Sequence, residues 1–195
     1  MTALRFWWVR HAPTGLRSAV GWSDVPCDLS DAAALDRLAA ALPQAPIVSS
    51  DLARARLTAD RIAGTRPRLQ DLPDVREIHF GAWELLDFGE IEARFPDAHA
   101  AWIAAGGAAA APGGESFDAL CARVSGAIDR LTEEIGTGDV IVVAHMGAIM
   151  AALRRALALP GDRAMAFSIA PLSVTRLDWL PEPGVWRIAA VNRPP

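Results

Sequence analysis

Apolar positions along this chain follow two rhythms, short near-continuous runs and longer stretches at helical spacing, and the two alternate. Leu4 to Val9 is a run of aromatic and β-branched residues that suits a strand covered on both faces. After a loop bearing Pro and Gly, Leu29-Ser30-Asp31 supplies N-cap chemistry for a helix in which Leu35, Leu38 and Leu42 recur before Pro43. Pro46 to Ser50 reads as a second buried strand. Asp51 opens a helix with the stripe Leu52, Ala55, Ala59 and Ile62, and Gly64 ends it. Arg68 to Gly81 is expected to hold a third strand and a loop. Leu85 to Ala105 predicts a helical excursion interrupted at Pro96, and Gly106 to Gly114 a flexible loop. Phe117, Leu120, Val124, Ile128 and Leu131 restore helical periodicity between Ser116 and Ile135. Val140 to Ala144 is the clearest buried strand, with a helix from Gly147 to Leu159 behind it. Ser173 to Trp179 and Val185 to Val191 predict a hairpin across Pro181-Glu182-Pro183-Gly184.

Strands alternating with helices imply an α/β fold, a three-layer α/β/α sandwich with a mainly parallel central sheet. Ligands of such sheets lie outside the carboxyl ends of the strands. The 195 residues suit a single domain spanning 1–195, with the excursion at about 85–114 as an insertion within it.

Composition narrows the function. A net charge of -4 gives no basic footprint for nucleic acid, so any anion site is local. Cys27 and Cys121 match neither a metal-ligand spacing nor a redox pair, and both read as buried or half-buried thiols. The apolar run at the N-terminus is too short for a signal segment and meets Arg10 at once. No charge-free stretch has the roughly 20 residues needed to span a bilayer. The expectation is a cytoplasmic protein without a membrane partner; no pattern in the chain sets an oligomeric state.

Four expected strand ends carry groups able to converge: Arg10 and His11 after the first strand, Arg54 after the second, Glu77 after the third, and His145 after the Val140 strand. Two guanidiniums and two imidazoles around one point suit a phosphoryl group, because the arginine fork donates paired charge-assisted hydrogen bonds to its oxygens. Neighbouring guanidiniums disfavour a further cation, so His11 is expected to be neutral and nucleophilic. A protonated His145 and the two arginines would neutralise the equatorial oxygens without a metal or other cofactor. Glu77 is the candidate proton donor, with Asp24 or Glu84 as substitutes. Arg56, His79 and His99 read as structural or solvated. Trp22, Trp83 and Trp102 suit core packing better than a pocket wall.

The runs Val9-Arg10-His11-Ala12-Pro13-Thr14, Ser49 to Ala59, Arg76 to Glu84 and Val142 to Gly147 together resemble the histidine phosphatase superfamily, which includes the cofactor-dependent phosphoglycerate mutases. The resemblance implies a phosphoglycerate mutase-like fold. It also implies hydrolysis of a small phosphorylated substrate, with His11 as nucleophile, Arg10, Arg54 and His145 on the phosphoryl group, and Glu77 as proton donor. Gly21 to Leu29, Phe80 to Glu84 and Gly113 to Phe117 look most like the α-ribazole phosphatases, which act in assembly of the cobalamin nucleotide loop. Phosphoryl transfer of the mutase type and a non-catalytic phosphate-binding module are the alternatives. Ala12 and Met146 stand where the family has glycine. The family's asparagine after the signature is missing, with Arg17 nearby.

Overall fold

A computed structural model describes residues 3–195. The strands are β1 (Leu4–Arg10), β2 (Ile47–Ser49), β3 (Gly138–Ala144), β4 (Val174–Leu180) and β5 (Val185–Arg193). The helices are α1 (Ala32–Ala41), α2 (Ala53–Ala63), α3 (Phe88–Arg94), α4 (Pro96–Ala104), α5 (Phe117–Ile135) and α6 (Met146–Leu157). One five-stranded sheet runs in the order β2-β3-β1-β4-β5.

Alternation along the strands makes the layers. Phe6, Trp8, Val140 and Val142 share a buried cluster with Leu120, Val124 and Ile128 of α5 and Ile149 and Leu153 of α6. Val9, Ile141 and Val143 point the other way, against Leu35 and Leu38 of α1 and Ala55, Ala59 and Ile62 of α2. Both faces are therefore apolar, which is why these strands read as continuous runs. The excursion closes over a smaller cluster of Ala19, Trp83, Ile91 and Ala111.

The sheet is α/β and layered, but mixed rather than mainly parallel. β1 and β2 pair with β3 in parallel, while β4 lies antiparallel to β1, and β5 antiparallel to β4. The C-terminal hairpin thus joins the sheet edge on. On the face of that half turned away from α6, an ionic lattice takes the place of a helix: Asp178, fully buried, is held by Arg176 and Arg187, and Asp139 by Arg5 and the Trp7 indole.

The third strand expected within Arg68 to Gly81 does not form. Pro67 and Pro73 bracket a segment that makes one isolated bridge to β2, between Ile47 and Arg68, before a 3-10 turn at Pro73–Val75. Proline lacks the amide a ladder needs. Asp51 does not cap α2 either; Asp24 reaches in and accepts from the Ala53 amide at 2.6 Å, while Asp51 pairs with Arg76. The glycine-rich tract is pinned rather than loose. The Ala82 amide donates to the Pro112 carbonyl at 2.8 Å, and the Glu115 amide to that of His79 at 2.9 Å. A Cβ on Gly81 would meet Pro112 O at 2.3 Å, so only glycine permits this approach.

Arg66 ties α1 to α2. Its guanidinium donates to the carbonyls of Ala39, Leu42 and Pro43 at 2.7–2.8 Å and of Ile62 at 3.1 Å, satisfying both helix C-termini. Arg66→Met leaves those carbonyls without a donor and is expected to cost about 3 kcal/mol. Urea denaturation measures it, and a loss below about 0.5 kcal/mol, the range of an ordinary surface change, would contradict it.

Candidate active site

The sheet delivers its groups through backbone bonds at the strand ends. The His11 amide donates to the Ala144 carbonyl at 3.0 Å, Arg10 N to Ser173 O at 3.2 Å, and Ser50 N to Val143 O at 3.0 Å. His11 and His145 each follow the last residue of a paired strand, and their ring centroids lie 5.0 Å apart. Arg54 projects from the first turn of α2. Glu77, without the expected strand, comes in from the irregular segment after Pro73–Val75.

The His11 Nδ1 lies 2.6 Å from the Ala12 carbonyl. A carbonyl only accepts, so Nδ1 carries the proton and Nε2 the lone pair. Burial, with Arg54 and Arg10 adding to it against the Ala12 bond, drives the imidazole down to about 3. A ring so lowered is neutral near pH 7, with a lone pair on Nε2. Ala12 explains its own tolerance: its methyl packs into the apolar cluster beside α2, and its amide donates to Thr58 Oγ1 at 2.9 Å.

His145 departs from expectation. It is fully buried, and burial first, then His11 and the two arginines, pushes it well below the ordinary histidine value. That direction favours the neutral ring over the protonated one. Neither ring nitrogen has a hydrogen-bond partner. Glu77 is also buried, and desolvation raises its carboxyl despite amide bonds from Ile78 and Gly147 that favour the ionised form. The Gly147 amide reaches both carboxylate oxygens, at 3.0 and 3.1 Å, from the first turn of α6. A Cβ at Gly147 would fall 2.1 Å from Glu77 Oε1, so glycine is what admits the carboxylate.

Two guanidiniums complete the cup. Arg10 donates to the Ile169 carbonyl at 2.5 Å. Arg54, 1% exposed, donates to the carbonyls of Gly21 at 2.6 Å, Ser23 at 3.0 Å and Val20 at 3.3 Å. Burial draws both guanidiniums below their usual value and the Glu77 carboxylate opposes it. Arg10, His11, Arg54 and Glu77 share the wall of one cavity of about 240 Å³; His145 lies beside His11 without reaching its surface. Asp24 and Glu84, the other carboxylates considered for the proton donor, do not line it.

The rest of the wall is largely apolar, with Thr14 and Ser18 as its hydroxyl-bearing members. Phe88 and Trp102 come from the excursion, Phe117 and Leu120 from α5, and Met146 and Met150 from α6. Leu16 and Met165 complete the rim. Phe117 and Leu120 sit at core spacing, and nothing in their pattern separates wall from core. Of the tryptophans only Trp102 lines the cavity; Trp83 is buried against it, and Trp22 lies under Arg76. Arg17 and Arg56 are exposed, and His79 packs on Trp22. Among the described residues no group of three or more His, Cys, Asp or Glu side chains could hold a metal, and no helix is long and apolar enough to cross a membrane.

Residues 6–194 match the histidine phosphatase superfamily (branch 1). The adenosylcobalamin/alpha-ribazole phosphatase of Salmonella typhimurium is 29% identical over 173 residues, covering 85% of this chain and 86% of that protein. The structure of a mycobacterial glucosyl-3-phosphoglycerate phosphatase superposes with a TM-score of 0.83 at 29% identity, over 98% of this chain and 99% of the other. The alpha-ribazole phosphatase of Shigella flexneri gives a TM-score of 0.82 over 96% of both chains at 22% identity, a likeness of fold.

The depressed His11 value has a direct readout. Labelled imidazole signals of His11 are expected to keep the neutral Nδ1–H form from pH 8 down to pH 5, while a titration midpoint near the ordinary 6.5 would contradict the geometry. Both rings bind fewer protons folded than unfolded once the pH falls below about 6.5, so they remove stability as acid is added. Glu77 acts in the opposite sense, since its raised carboxyl takes up a proton in the folded state first.

Proposed function

The chain belongs to the histidine phosphatase superfamily, and we propose that it hydrolyses phosphomonoesters through a phosphohistidine formed on His11. The observation that carries this reading is the His11 bond to its neighbour's carbonyl, which leaves Nε2 with a lone pair in a cavity wall shared with two guanidiniums. Nε2 attacks phosphorus, the ester oxygen departs, and the Glu77 carboxyl supplies its proton. Water then attacks the phosphohistidine and gives a proton back to Glu77. The P–N bond breaks, and inorganic phosphate leaves.

Arg10 and Arg54 hold the equatorial oxygens, where preorganised donors in a desolvated site count for most. His145, neutral and without a partner, donates one N–H to the phosphoryl group. A buried unpaired polar group costs about 1–3 kcal/mol, and an oxygen seated against His11 would relieve it. Burial raises the Glu77 carboxyl, the direction that favours the protonated form a general acid needs.

The leaving group we propose is uncharged and largely apolar, with α-ribazole phosphate as the candidate. Beyond Arg10, His11, Arg54 and Glu77 the cavity wall carries no charged side chain. An aromatic base would find Phe88, Trp102 and Phe117, whereas the carboxylate of a phosphoglycerate would find no cation of its own. That contrast favours hydrolysis over mutase chemistry. The Salmonella relative, named for α-ribazole and adenosylcobalamin, supports the same choice.

His11→Ala is expected to abolish both turnover of p-nitrophenyl phosphate and labelling of the protein by radioactive substrate phosphate, and EDTA to leave the parent active. EDTA-sensitive turnover surviving in His11→Ala would sink the mechanism. For the leaving group, α-ribazole phosphate is expected to exceed 3-phosphoglycerate in kcat/KM by about 100-fold, the scale of leaving a buried charge unpaired. Equal rates, or turnover that requires a bisphosphate primer, would overturn the assignment.

A further inference from the structure

Glu84 lies outside the cavity, yet five donors converge on its carboxylate. Oε1 accepts from the amides of Trp22 at 2.8 Å and Phe80 at 3.0 Å. Oε2 accepts from the amides of Gly21 and Ser23, both at 3.1 Å, and from the Ser23 hydroxyl at 2.7 Å. Burial works to raise this carboxyl, but the bonds from Ser23, Trp22 and Phe80 outweigh it and hold the group ionised.

The loop so held has a second side. While its N–H groups face Glu84, the carbonyls of Val20, Gly21 and Ser23 accept from the Arg54 guanidinium. One layer of peptide therefore stands between an anion and a cation with its dipoles aligned to both. Gly21 makes the layer thin enough: a Cβ there would fall 2.3 Å from Glu84 Oε1 and 2.2 Å from Ile78 O. The same loop reaches the acid as well, because the Trp22 indole N–H donates to the Glu77 carbonyl at 2.9 Å.

We propose that Glu84 is a positioning residue that sets the Arg54 fork and the Glu77 backbone together, through the Gly21–Ser23 loop. It rests on the phosphatase reading only for its kinetic readout. No atom of Glu84 touches the substrate. Its charge orders the peptide layer whose carbonyls fix the direction of Arg54, and so determines phosphoryl affinity before any chemistry.

Glu84→Gln offers an amide NH2 where donors already converge, so the loop cannot keep its arrangement. In this variant calorimetric affinity for inorganic phosphate is expected to fall about tenfold, the equivalent of one lost charge-assisted bond of about 1.4 kcal/mol. The KM for p-nitrophenyl phosphate should rise by a similar factor. Glu84→Asp, which keeps the charge, is expected to recover part of the affinity. Trp22→Phe removes only the indole donor; it should leave phosphate affinity unchanged and slow alkyl phosphates, which need an acid, more than the aryl ester, which does not. A merely structural Glu84 would lower the melting temperature and leave phosphate affinity and KM at parental values, and that result overturns the proposal. If Glu84→Gln does not fold, Ser23→Ala, which deletes one donor to Oε2, carries the same test, and unchanged phosphate affinity there overturns it equally. Calorimetry needs no turnover, so an inactive parent that binds phosphate would count against the phosphatase reading and leave this one standing.

Discussion

Parallel pairing that sets Arg10 opposite Ala144 is the constraint on which the site depends. With β1 and β3 in that register the two strands end level, and the next residue of each is a histidine. Strand side chains alternate with a period of two, so a slip of one residue would turn Phe6 and Trp8 away from α5 and α6 and bring Arg5 and Trp7 into their place. Burial on both faces makes such a slip very costly. The position of His11 relative to His145 is therefore set by the whole core rather than by contacts between the rings.

The cup keeps its positive charge because of what does not pair with it. Elsewhere arginines meet acids: Arg5 with Asp139, Arg76 with Asp51, Arg123 with Glu115, Arg187 with Asp178. Arg10 and Arg54 are held by backbone carbonyls instead. A carbonyl satisfies a guanidinium proton without cancelling its charge, so the field stays available to an arriving anion. A protein of net charge -4 thus maintains a local cationic pocket. Burial first, and this field second, push both imidazoles below the ordinary histidine value. Counting cations around a phosphate overlooks what burial and those cations do to His145, which they push toward the neutral form.

Most of the frame is legible in the chain because local signals agree with burial. Ser116 caps α5 by accepting from the Ala119 amide at 3.1 Å, Asp31 caps α1 in the same way, and the apolar stripes between them match the buried residues of each helix. His11 and Arg54 are legible because each stands just beyond a buried strand. Glu77 is a different case: it lines the cavity, but in a setting other than the expected one, since Pro67 and Pro73 deny the strand that was to carry it. The antiparallel edge is half legible, as a hairpin whose side of the sheet no local pattern specifies. Least legible are the cavity walls. Phe117 and Leu120 obey core periodicity, and Met165 belongs to a short 3-10 turn at Arg163–Ala166 with no periodicity to read.

The start of α6 separates the reaction we propose from the choice of substrate. Successive helical residues point about 100° apart, so three neighbours can serve three directions. His145 turns to His11; the Gly147 amide, unobstructed by a side chain, meets Glu77; Met146 between them faces the cavity, with its sulfur 3.9 Å from Arg10 Nη1. Gly147 is restricted by the 2.1 Å that a Cβ would leave to Glu77 Oε1, and His145 by its complete burial beside His11. Met146 is less restricted, being 39% exposed and held by packing and the long contact of its sulfur with Arg10. The departure from glycine at this position therefore alters the wall and leaves the cup as it was. A methionine there adds polarisable apolar surface to the cavity wall beside Arg10.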